Sequence, residues 1–380
     1  MLISRSLFTK IQKRLTGEAK IIILYGPRQA GKTTLIKQLL STIKEKHLFL
    51  TGDDIRTQEL FSVPNLEILK RSVGQAKLLV IDEAQRITNI GLTLKLLYDD
   101  APIRIIASGS SSFNLANKIN EPLTGRSITY TLYPLSLLEL PVTAPATSIS
   151  PRIEEFLRFG LYPKTVTLIG ENDKQEYLNE LVNTYLYNDV LSFETIRKPK
   201  KIIDLLSLLA LQIGSEVSIL ELAQNISLSK TIVEKYLDIL QKMFIIVNIR
   251  GFSRNLRKEI SKTSKYYFVD LGLRNALIRN FNPLGLRTDK GAMFENFCII
   301  EKIKVFANRK QLAGLYFWRT YDQQEIDIIE EREGTLHAYE CKWIAKERNK
   351  TSAAYEFTSS YPNSSFTIVS PNNIEEFLQM

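Results

Sequence analysis

The stretch that decides the fold is "KIIILYGPRQAGKTTLIKQLL", which runs from Lys20 to Leu40. The apolar residues that end at Tyr25 predict a short buried strand, and the apolar periodicity after Gly31 predicts a helix. The loop between them is G-x-x-x-x-G-K-T in its required strand–loop–helix setting. A chance glycine-rich turn is the alternative, but the pattern and its setting together favour a phosphate-binding loop.

The residue types in this loop suit a phosphate ligand. Its glycines let the backbone turn tightly and direct N–H groups at phosphate oxygens, and the dipole of the following helix adds to the attraction. Lys32 is expected to reach the β- and γ-phosphates, and the Thr33 hydroxyl to bind Mg²⁺. The loop therefore predicts ATP and Mg²⁺ as ligands. The residues expected to contact the nucleotide are Gly26, Pro27, Arg28, Gln29, Ala30, Gly31, Lys32, Thr33 and Thr34.

A second strand, in "KLLVIDEAQRI", ends in two acidic residues, Asp82 and Glu83. At the tip of a strand beside the phosphate loop, Asp82 is placed to hold Mg²⁺ and Glu83 to polarise the attacking water. Asp-Glu after a strand is also a common helix N-cap. Because the pair follows a phosphate loop, we favour the catalytic interpretation.

A third strand, in "IRIIASGSS", places Ser108 at its tip, either to sense the γ-phosphate or as part of an ordinary strand-to-helix turn. The order of these parts resembles the AAA+ and STAND branches of P-loop ATPases. The resemblance implies that Arg126, in "PLTGRS", lies near the nucleotide or at a subunit interface; a surface arginine is the alternative. It also implies that Pro163, in "FGLYPKT", packs near the adenine. Here one additional residue separates Gly160 from that proline.

Composition excludes several classes of protein. The 380 residues carry a net charge of +9, and no apolar run is long enough to cross a bilayer. Cys298 and Cys341 cannot form a disulfide framework, and with His47 and His337 as the only histidines a His/Cys zinc site is not expected. We therefore expect a cytoplasmic protein without a membrane partner. The positive charge is compatible with a polyanionic partner such as DNA.

The middle of the chain is predicted to be helical. The linker "ELPVTAPATSIS" closes an ATPase core over residues 1–145, and a helical lid or spacer follows over residues 152–200. Residues 201–280 read as helix, turn, helix and strand, which resembles a winged helix-turn-helix domain. Two interpretations are open: the wing contacts DNA, or the domain contacts protein. The basic residues of the wing are Arg250, Arg254, Arg257, Lys258, Lys262 and Lys265.

Residues 285–380 contain acidic residues at the spacing of a metal-dependent phosphodiesterase. An amphipathic helix carries Glu295, one strand carries Asp327, and a neighbouring strand carries Glu340 and Lys342. This set resembles the PD-(D/E)xK, restriction-endonuclease-like superfold, although Ile326 stands where the motif has proline. The resemblance implies that the three acids surround a second divalent metal and that Lys342 activates water. Two exposed strands that merely carry charges are the alternative, and cleavage is a separate claim.

Nearly the whole chain resembles a prokaryotic family in which an AAA-type ATPase is joined to a nuclease-like domain of unknown function. The fold class expected is α/β, with a P-loop parallel sheet, a helical and winged-helix middle, and a smaller C-terminal α/β domain. Three functions remain open: an ATPase that switches or remodels its attached module, on DNA in one version; an ATP-gated nuclease; and a STAND-like signalling or scaffolding protein that binds protein. The sequence leaves the target, the trigger and the oligomeric state open.

Overall fold

A computed structural model describes residues 3–17, 20–101, 103–110, 122–140, 152–184, 199–254, 263–344 and 352–380. The chain divides into two compact units. The first comprises Leu2–Leu135 and Lys242–Phe244, and the second comprises Ser136–Gln241 and Ile245–Met380. Each unit is built on its own β-sheet, and this confirms the predicted α/β class with a parallel-sheet domain and a second, C-terminal sheet domain.

The first unit contains a five-stranded parallel sheet. Its strands are β1 (Ile21–Tyr25), β2 (His47–Thr51), β3 (Leu78–Asp82), β4 (Arg104–Gly109) and β5 (Ser127–Thr131). Their order across the sheet is β2-β3-β4-β1-β5, and all neighbouring pairs are parallel. Every residue of β1 and of β3 is buried, as expected for parallel strands that are covered on both faces.

Helices cover the two faces of this sheet. They are α1 (Ser6–Thr16), α2 (Lys32–Ser41), α3 (Ile55–Ser62), α4 (Leu66–Val73) and α5 (Ile90–Asp100). Alternate residues of β1 face opposite sides, so Ile21 and Ile23 pack with α3, α4 and α5, whereas Ile22 and Leu24 pack with α1 and α2. The loops after β1, β3 and β4 therefore meet at one edge of a sheet that is well buried on both sides.

The second unit contains a six-stranded mixed sheet. Its strands are β6 (Ile246–Gly251), β7 (Ser264–Phe268), β8 (Gly314–Arg319), β9 (Glu325–Arg332), β10 (Thr335–Cys341) and β11 (Ser364–Val369). The order is β11-β10-β9-β8-β6-β7. Strands β6 and β7 form the antiparallel hairpin of the predicted winged helix, and β6 also pairs in parallel with β8. One sheet therefore continues across the expected boundary between residues 280 and 285, and the division into domains there stays a prediction.

Ten helices complete the described part of the second unit. They are α6 (Ile153–Phe159), α7 (Pro163–Thr167), α8 (Glu171–Leu181), α9 (Pro199–Leu211), α10 (Ile219–Asn225), α11 (Lys230–Lys242), α12 (Leu271–Leu277), α13 (Lys290–Arg309), α14 (Ser352–Ser360) and α15 (Ile374–Gln379). The order α10, α11, β6 is the predicted helix–turn–helix–strand. Its assignment to the winged-helix class remains a prediction.

The region predicted as a lid or spacer is integral to the second unit over its described residues. Helices α6 and α8 pack against α12. The side-chain amide of Asn275, on α12, donates hydrogen bonds to the carbonyls of Leu157 (2.9 Å) and Arg158 (2.8 Å) at the end of α6. Residues 185–198, which complete the predicted amphipathic run, and most of the predicted linker lie outside the described residues.

Gly160 ends helix α6 where the backbone meets the start of α12. Its φ of 71° lies in the left-handed region, and a Cβ atom there would be 1.9 Å from Oδ1 of Asp270. The Asp270 carboxylate caps α12 by accepting the amide of Leu273 (3.2 Å), and it also accepts the amide of Leu161 (2.7 Å). Burial raises the pKa of Asp270, because water is excluded from its carboxyl group. The glycine therefore allows a close approach that stabilises both helix ends.

We predict that Gly160→Ala lowers the free energy of unfolding by about 2 kcal/mol or more, because the methyl group displaces Asp270 and the residue stays in a left-handed conformation. Denaturant titration measures the loss. Gly291→Ala is the matched control, because nothing lies within 4 Å of the added Cβ and the site is near the start of α13. Equal stability of the two variants would show that the Gly160 contact does not constrain the fold.

Candidate functional site

The glycines of the phosphate loop have conformations that other residues disfavour. Gly26 has φ 154°, and a Cβ atom there would lie 2.1 Å from the carbonyl oxygen of Leu132. Gly31 has φ 96° and is the N-cap of α2. Gln29 also has a left-handed backbone conformation. The side chains of Gln29 and Thr34 are exposed, whereas Ala30 is buried. The loop therefore presents its backbone at the N-terminus of α2, which is the setting that a phosphate ligand requires.

Lys32 lies inside the loop rather than in solvent. Its side chain is 4% exposed, and its ammonium donates to the carbonyl oxygens of Gly26 and Pro27, each at 2.9 Å. Arg5, which precedes α1, is buried as well and donates to the carbonyls of Ala30 (2.7 Å) and Tyr133 (2.6 Å). These bonds hold both ends of the loop. Arg5 carried no sequence signal for this position.

The phosphate loop and the acidic strand tip are joined by one hydrogen bond. The hydroxyl of Thr33 donates to Oδ2 of Asp82 at 2.6 Å, although the two residues are 49 positions apart. The other carboxylate oxygen of Asp82 accepts the backbone amide of Glu83 at 3.2 Å. A threonine hydroxyl and a carboxylate are the oxygen donors that Mg²⁺ binds. The residues present therefore fit a magnesium-bound nucleotide, as predicted for Thr33 and Asp82.

Ser108 lies near the end of β4, as expected, beside the carboxylate of Asp82. Its side chain is fully buried, and its hydroxyl hydrogen-bonds to Oδ1 of Asp82. A serine has a single hydroxyl proton, and here that proton is directed at the carboxylate. The residue orients Asp82, and its contact with the γ-phosphate stays a prediction.

Glu83 is held in place by Gln85, a residue for which the sequence pattern indicated no role. Glu83 has φ 49°, an uncommon conformation for a residue with a side chain. The side-chain amide nitrogen Nε2 of Gln85 donates to Glu83 Oε2 at 2.5 Å. The same nitrogen donates to the hydroxyl of Ser110, which follows β4, at 3.2 Å. Glu83 is partly exposed beside the phosphate loop, where a general base would be needed. Gln85 thus orients the predicted base and connects it to the tip of β4.

Arg126 lies at the opposite edge of the sheet from the phosphate loop. It immediately precedes Ser127, which pairs with Ile21 at the start of β1, whereas the loop follows the end of β1. Five residues of strand separate the two edges by roughly 16 Å. The guanidinium of Arg126 pairs with Asp99 at 2.8 Å and 3.1 Å and lowers the pKa of that carboxyl group. Contact with a nucleotide bound in the same chain is therefore wrong, and a role at a subunit interface stays a prediction.

Pro163 is the first residue of α7 and belongs to the second unit. Its predicted contact with adenine stays a prediction.

The wing residues Arg250 and Arg254 are exposed, and the guanidinium of Arg254 lies 5.6 Å from the ring centre of Tyr361. Arg257, Lys258 and Lys262 lie outside the described residues.

The strands of the second unit bring Asp327 and Glu340 together. The register that pairs Tyr339 with Ile328 sets Glu340 opposite Asp327 on the antiparallel strands β10 and β9. Lys342 donates to Glu340 Oε1 at 2.6 Å. Both acids are largely withdrawn from solvent, with Glu340 8% exposed, so the alternative of exposed charged strands is wrong. The predicted adjacency of acid, acid and lysine is present.

Glu295 approaches from helix α13, but it is bound to a lysine that the sequence assigned elsewhere. Lys265 lies 3.2 Å from Glu295 Oε1 and 2.5 Å from Glu325 Oε1. The interpretation of Lys265 as a phosphate contact of the wing is therefore wrong, because its side chain is buried. Among the described residues, no group of three or more histidine, cysteine or acidic side chains is arranged to hold a metal ion. The predicted second metal site does not receive support from this arrangement.

Burial dominates the electrostatics of this cluster. Burial, followed by the negative charges of Glu295 and Glu340, raises the pKa of Asp327 well above its usual range. Burial also raises the pKa of Glu295, although Lys265 and Tyr267 oppose the shift. For Lys265, burial favours the neutral amine, but the acidic neighbours outweigh it and raise the pKa. The lysine therefore carries its charge inside the cluster.

Comparison with known protein families divides the chain in three. A family model described as an AAA domain matches residues 18–140. Two models described as domains of unknown function, DUF8612 and DUF4143, match residues 150–285 and 290–377. Within the described residues, no helix combines the length and the apolar character needed to cross a membrane.

The curated relatives are similar over most of their length. An uncharacterized protein of Mycobacterium tuberculosis is 28% identical over 90% of this chain and 74% of its own. An uncharacterized protein of Methanocaldococcus jannaschii is 27% identical over 87% of this chain and 77% of its own. Among solved structures, a Walker-type ATPase of Pyrococcus abyssi is 15% identical, with a TM-score of 0.51 over 73% of this chain and 96% of that one. Residues 18–140 thus have an AAA-type P-loop ATPase fold.

We predict that Gln85→Ala lowers kcat for ATP hydrolysis by roughly tenfold to a hundredfold and leaves KM within a few-fold, because the base loses its orientation while the phosphate loop is intact. Steady-state phosphate release measures both constants. Gln12→Ala is the control, since that glutamine is on α1 and its side-chain amide donates to the Thr42 hydroxyl at 3.2 Å. A rise in KM without a fall in kcat would contradict the orienting role.

Proposed function

We propose that this protein hydrolyses Mg²⁺-bound ATP in its first unit and uses the nucleotide cycle to switch or remodel its second unit. The observation that carries the proposal is the 2.6 Å hydrogen bond from Thr33 to Asp82, with Glu83 next in the chain. It brings a phosphate-loop hydroxyl, a strand-tip carboxylate and a second carboxylate to one edge of the sheet. The AAA domain match over residues 18–140 supports the same assignment.

Each residue has a distinct part in this reaction. The loop amides and Lys32 bind and orient the phosphates, for which the ammonium exchanges its contacts with the loop carbonyls for phosphate oxygens. Thr33 and Asp82 would hold Mg²⁺, which supplies charge neutralisation when bound. Ser108 keeps Asp82 oriented. Glu83, fixed by Gln85, accepts a proton from the attacking water.

The chain itself provides a route from the phosphate loop to the second unit. The carbonyl of Leu132 lies against Gly26, and four residues later Ser136 begins the second unit. There the hydroxyl of Ser136 and the amide of Leu137 donate to Glu301 Oε2 on α13, at 2.9 Å and 2.7 Å. A shift of the loop on hydrolysis would therefore pull directly on a short segment anchored to α13, the helix that carries Glu295.

We predict that Lys32→Ala weakens ATP binding, whereas Glu83→Gln keeps ATP bound and slows turnover by roughly a hundredfold or more, because the amide is polar but not basic. Nucleotide titration and phosphate release separate the two effects. Arg86→Ala is the control, an exposed neighbour that pairs with Asp53. Unchanged turnover in Glu83→Gln would remove that residue from the catalytic role.

DNA is the partner that the basic wing favours. We predict that neutralising Arg254, Arg257 and Lys258 together lowers DNA affinity and flattens its dependence on salt, because fewer counterions are released on binding. Fluorescence anisotropy over a salt series measures both quantities.

A matched triple variant neutralises three exposed lysines of the first unit, Lys44, Lys46 and Lys70, and should leave affinity and slope unchanged. Equal affinity and slope in the wing variant would move the DNA site elsewhere. Absence of salt-dependent DNA binding by the unaltered protein would favour the protein-binding, STAND-like alternative. Cleavage of DNA with ATP and Mg²⁺, lost in Asp327→Asn, would favour the ATP-gated nuclease.

A further inference from the structure

Lys265 is a lysine of strand β7 that is buried among acidic side chains. Its side chain is 1% exposed, and its ammonium lies 3.2 Å from Glu295 on α13 and 2.5 Å from Glu325 on β9. Lysine is almost never this buried unless it is paired. The ammonium therefore serves as the counter-ion of two carboxylates that approach from a helix and from another strand.

Glu295 is the acid that the nuclease resemblance expects to complete a metal shell, and one of its oxygens is already committed. Oε1 accepts the ammonium of Lys265 at 3.2 Å and the phenol hydroxyl of Tyr267 at 2.5 Å. A carboxylate oxygen has about two acceptor sites, so this atom has none left for a metal. The lysine and the tyrosine together fix Glu295 in a role that excludes ligation through Oε1.

The two other acids of the expected metal site also have internal donors. Oε1 of Glu340 accepts Lys342 at 2.6 Å, and Oδ2 of Asp327 accepts the backbone amide of Cys341 at 2.7 Å. Oε2 of Glu340 is buried and has no hydrogen-bond partner among the described residues. Glu340 Oε2 is therefore an available ligand atom of the cluster, while the two lysines supply positive charge.

An ammonium and a divalent ion compete for such a cluster, because both neutralise the same carboxylates. Buried carboxylates are costly without a nearby cation, and once a buried lysine supplies that charge an added metal must displace it or be repelled by it. We propose that Lys265, through its pairs with Glu295 and Glu325, supplies the positive charge that the resemblance gives to a divalent metal in this cluster. The second unit then works without a metal ion at Asp327 and Glu340.

The proposal concerns the second unit alone. Its outcome is independent of whether the first unit hydrolyses ATP, because all the residues that carry it lie in the second unit. It also gives the cluster a definite state, in which its acids are charge-compensated and do not support metal-dependent cleavage. Removing the lysine should uncover the ligand set that the ammonium now neutralises.

The test is a gain of metal binding in Lys265→Met, which keeps the length and apolar stem of the side chain but removes its charge. The full chain is titrated with Mn²⁺ in the absence of nucleotide, because Mn²⁺ binds oxygen ligands and its free form is counted by electron paramagnetic resonance. We expect Lys265→Met to bind one Mn²⁺ roughly tenfold or more tighter than the unaltered chain, since removing the lysine leaves the carboxylates uncompensated. Mn²⁺ should also raise its melting temperature, because the metal binds the folded state.

Two further variants make the result specific. Lys304→Met removes another buried lysine of the second unit, one that pairs with Glu301 at 2.7 Å, and should lose stability without gaining metal binding. Lys265→Met combined with Asp327→Asn should lose the gained site. If Lys265→Met does not fold, Lys265→Gln is used, and the unaltered chain is still compared with Asp327→Asn alone.

Two results would overturn the proposal. One is tight Mn²⁺ binding by the unaltered chain that Asp327→Asn abolishes, because a metal would then coexist with Lys265. The other is a folded Lys265 variant whose Mn²⁺ affinity equals that of the unaltered chain. Mn²⁺ binding that is equal in the unaltered chain and in Asp327→Asn supports the proposal without any change to the lysine.

Discussion

The hydrogen bond between Thr33 and Asp82 is the interaction on which the candidate ATPase site depends. Strands β1 and β3 are not neighbours, because β4 lies between them. The bond therefore spans the tip of β4, where a large side chain would separate its two ends. Ser108 occupies that tip, is small enough to be buried there, and directs its hydroxyl to the same carboxylate. The sheet order thus determines both which residues meet and which residue type fits between them.

In the second unit, helix α13 is the element that brings distant parts of the sheet together. It packs against β7 at one side of the sheet and against β10 nearer the other. Glu295 and Glu301 both belong to this helix, so the acid of the buried cluster and the acid that anchors Ser136 are fixed to one rigid element. A displacement of the segment at Ser136 would therefore act on α13, the helix that also carries Glu295 of the buried acidic cluster. The anchor of Ser136 and the buried acidic cluster therefore share one helix.

The sequence predicted features that depend on local pattern. The phosphate loop, the strand tip at Asp82 and the alternation that faces Asp327 toward Glu340 all follow from periodicity and residue type. Lys265 could not be placed in this way, because it stands in a basic run and its burial depends on β6 joining β8, a pairing of residues more than sixty positions apart. Arg126 was misplaced for a similar reason, since only the parallel register shows which sheet edge it occupies.

The acids of the two sites receive different donors, and in our proposal this difference separates a site that binds Mg²⁺ from a charge-compensated one. In the first unit Asp82 receives two hydroxyls and an amide, neutral donors that orient the carboxylate and leave its negative charge available to a cation. In the second unit Glu295 and Glu340 each receive an ammonium, which orients and neutralises at once. The spacing of acidic residues in the sequence suggested a metal site both in the first unit and in the second. Whether the donors are neutral or charged decides whether an added divalent ion is attracted, and that property appears only when the strands are assembled.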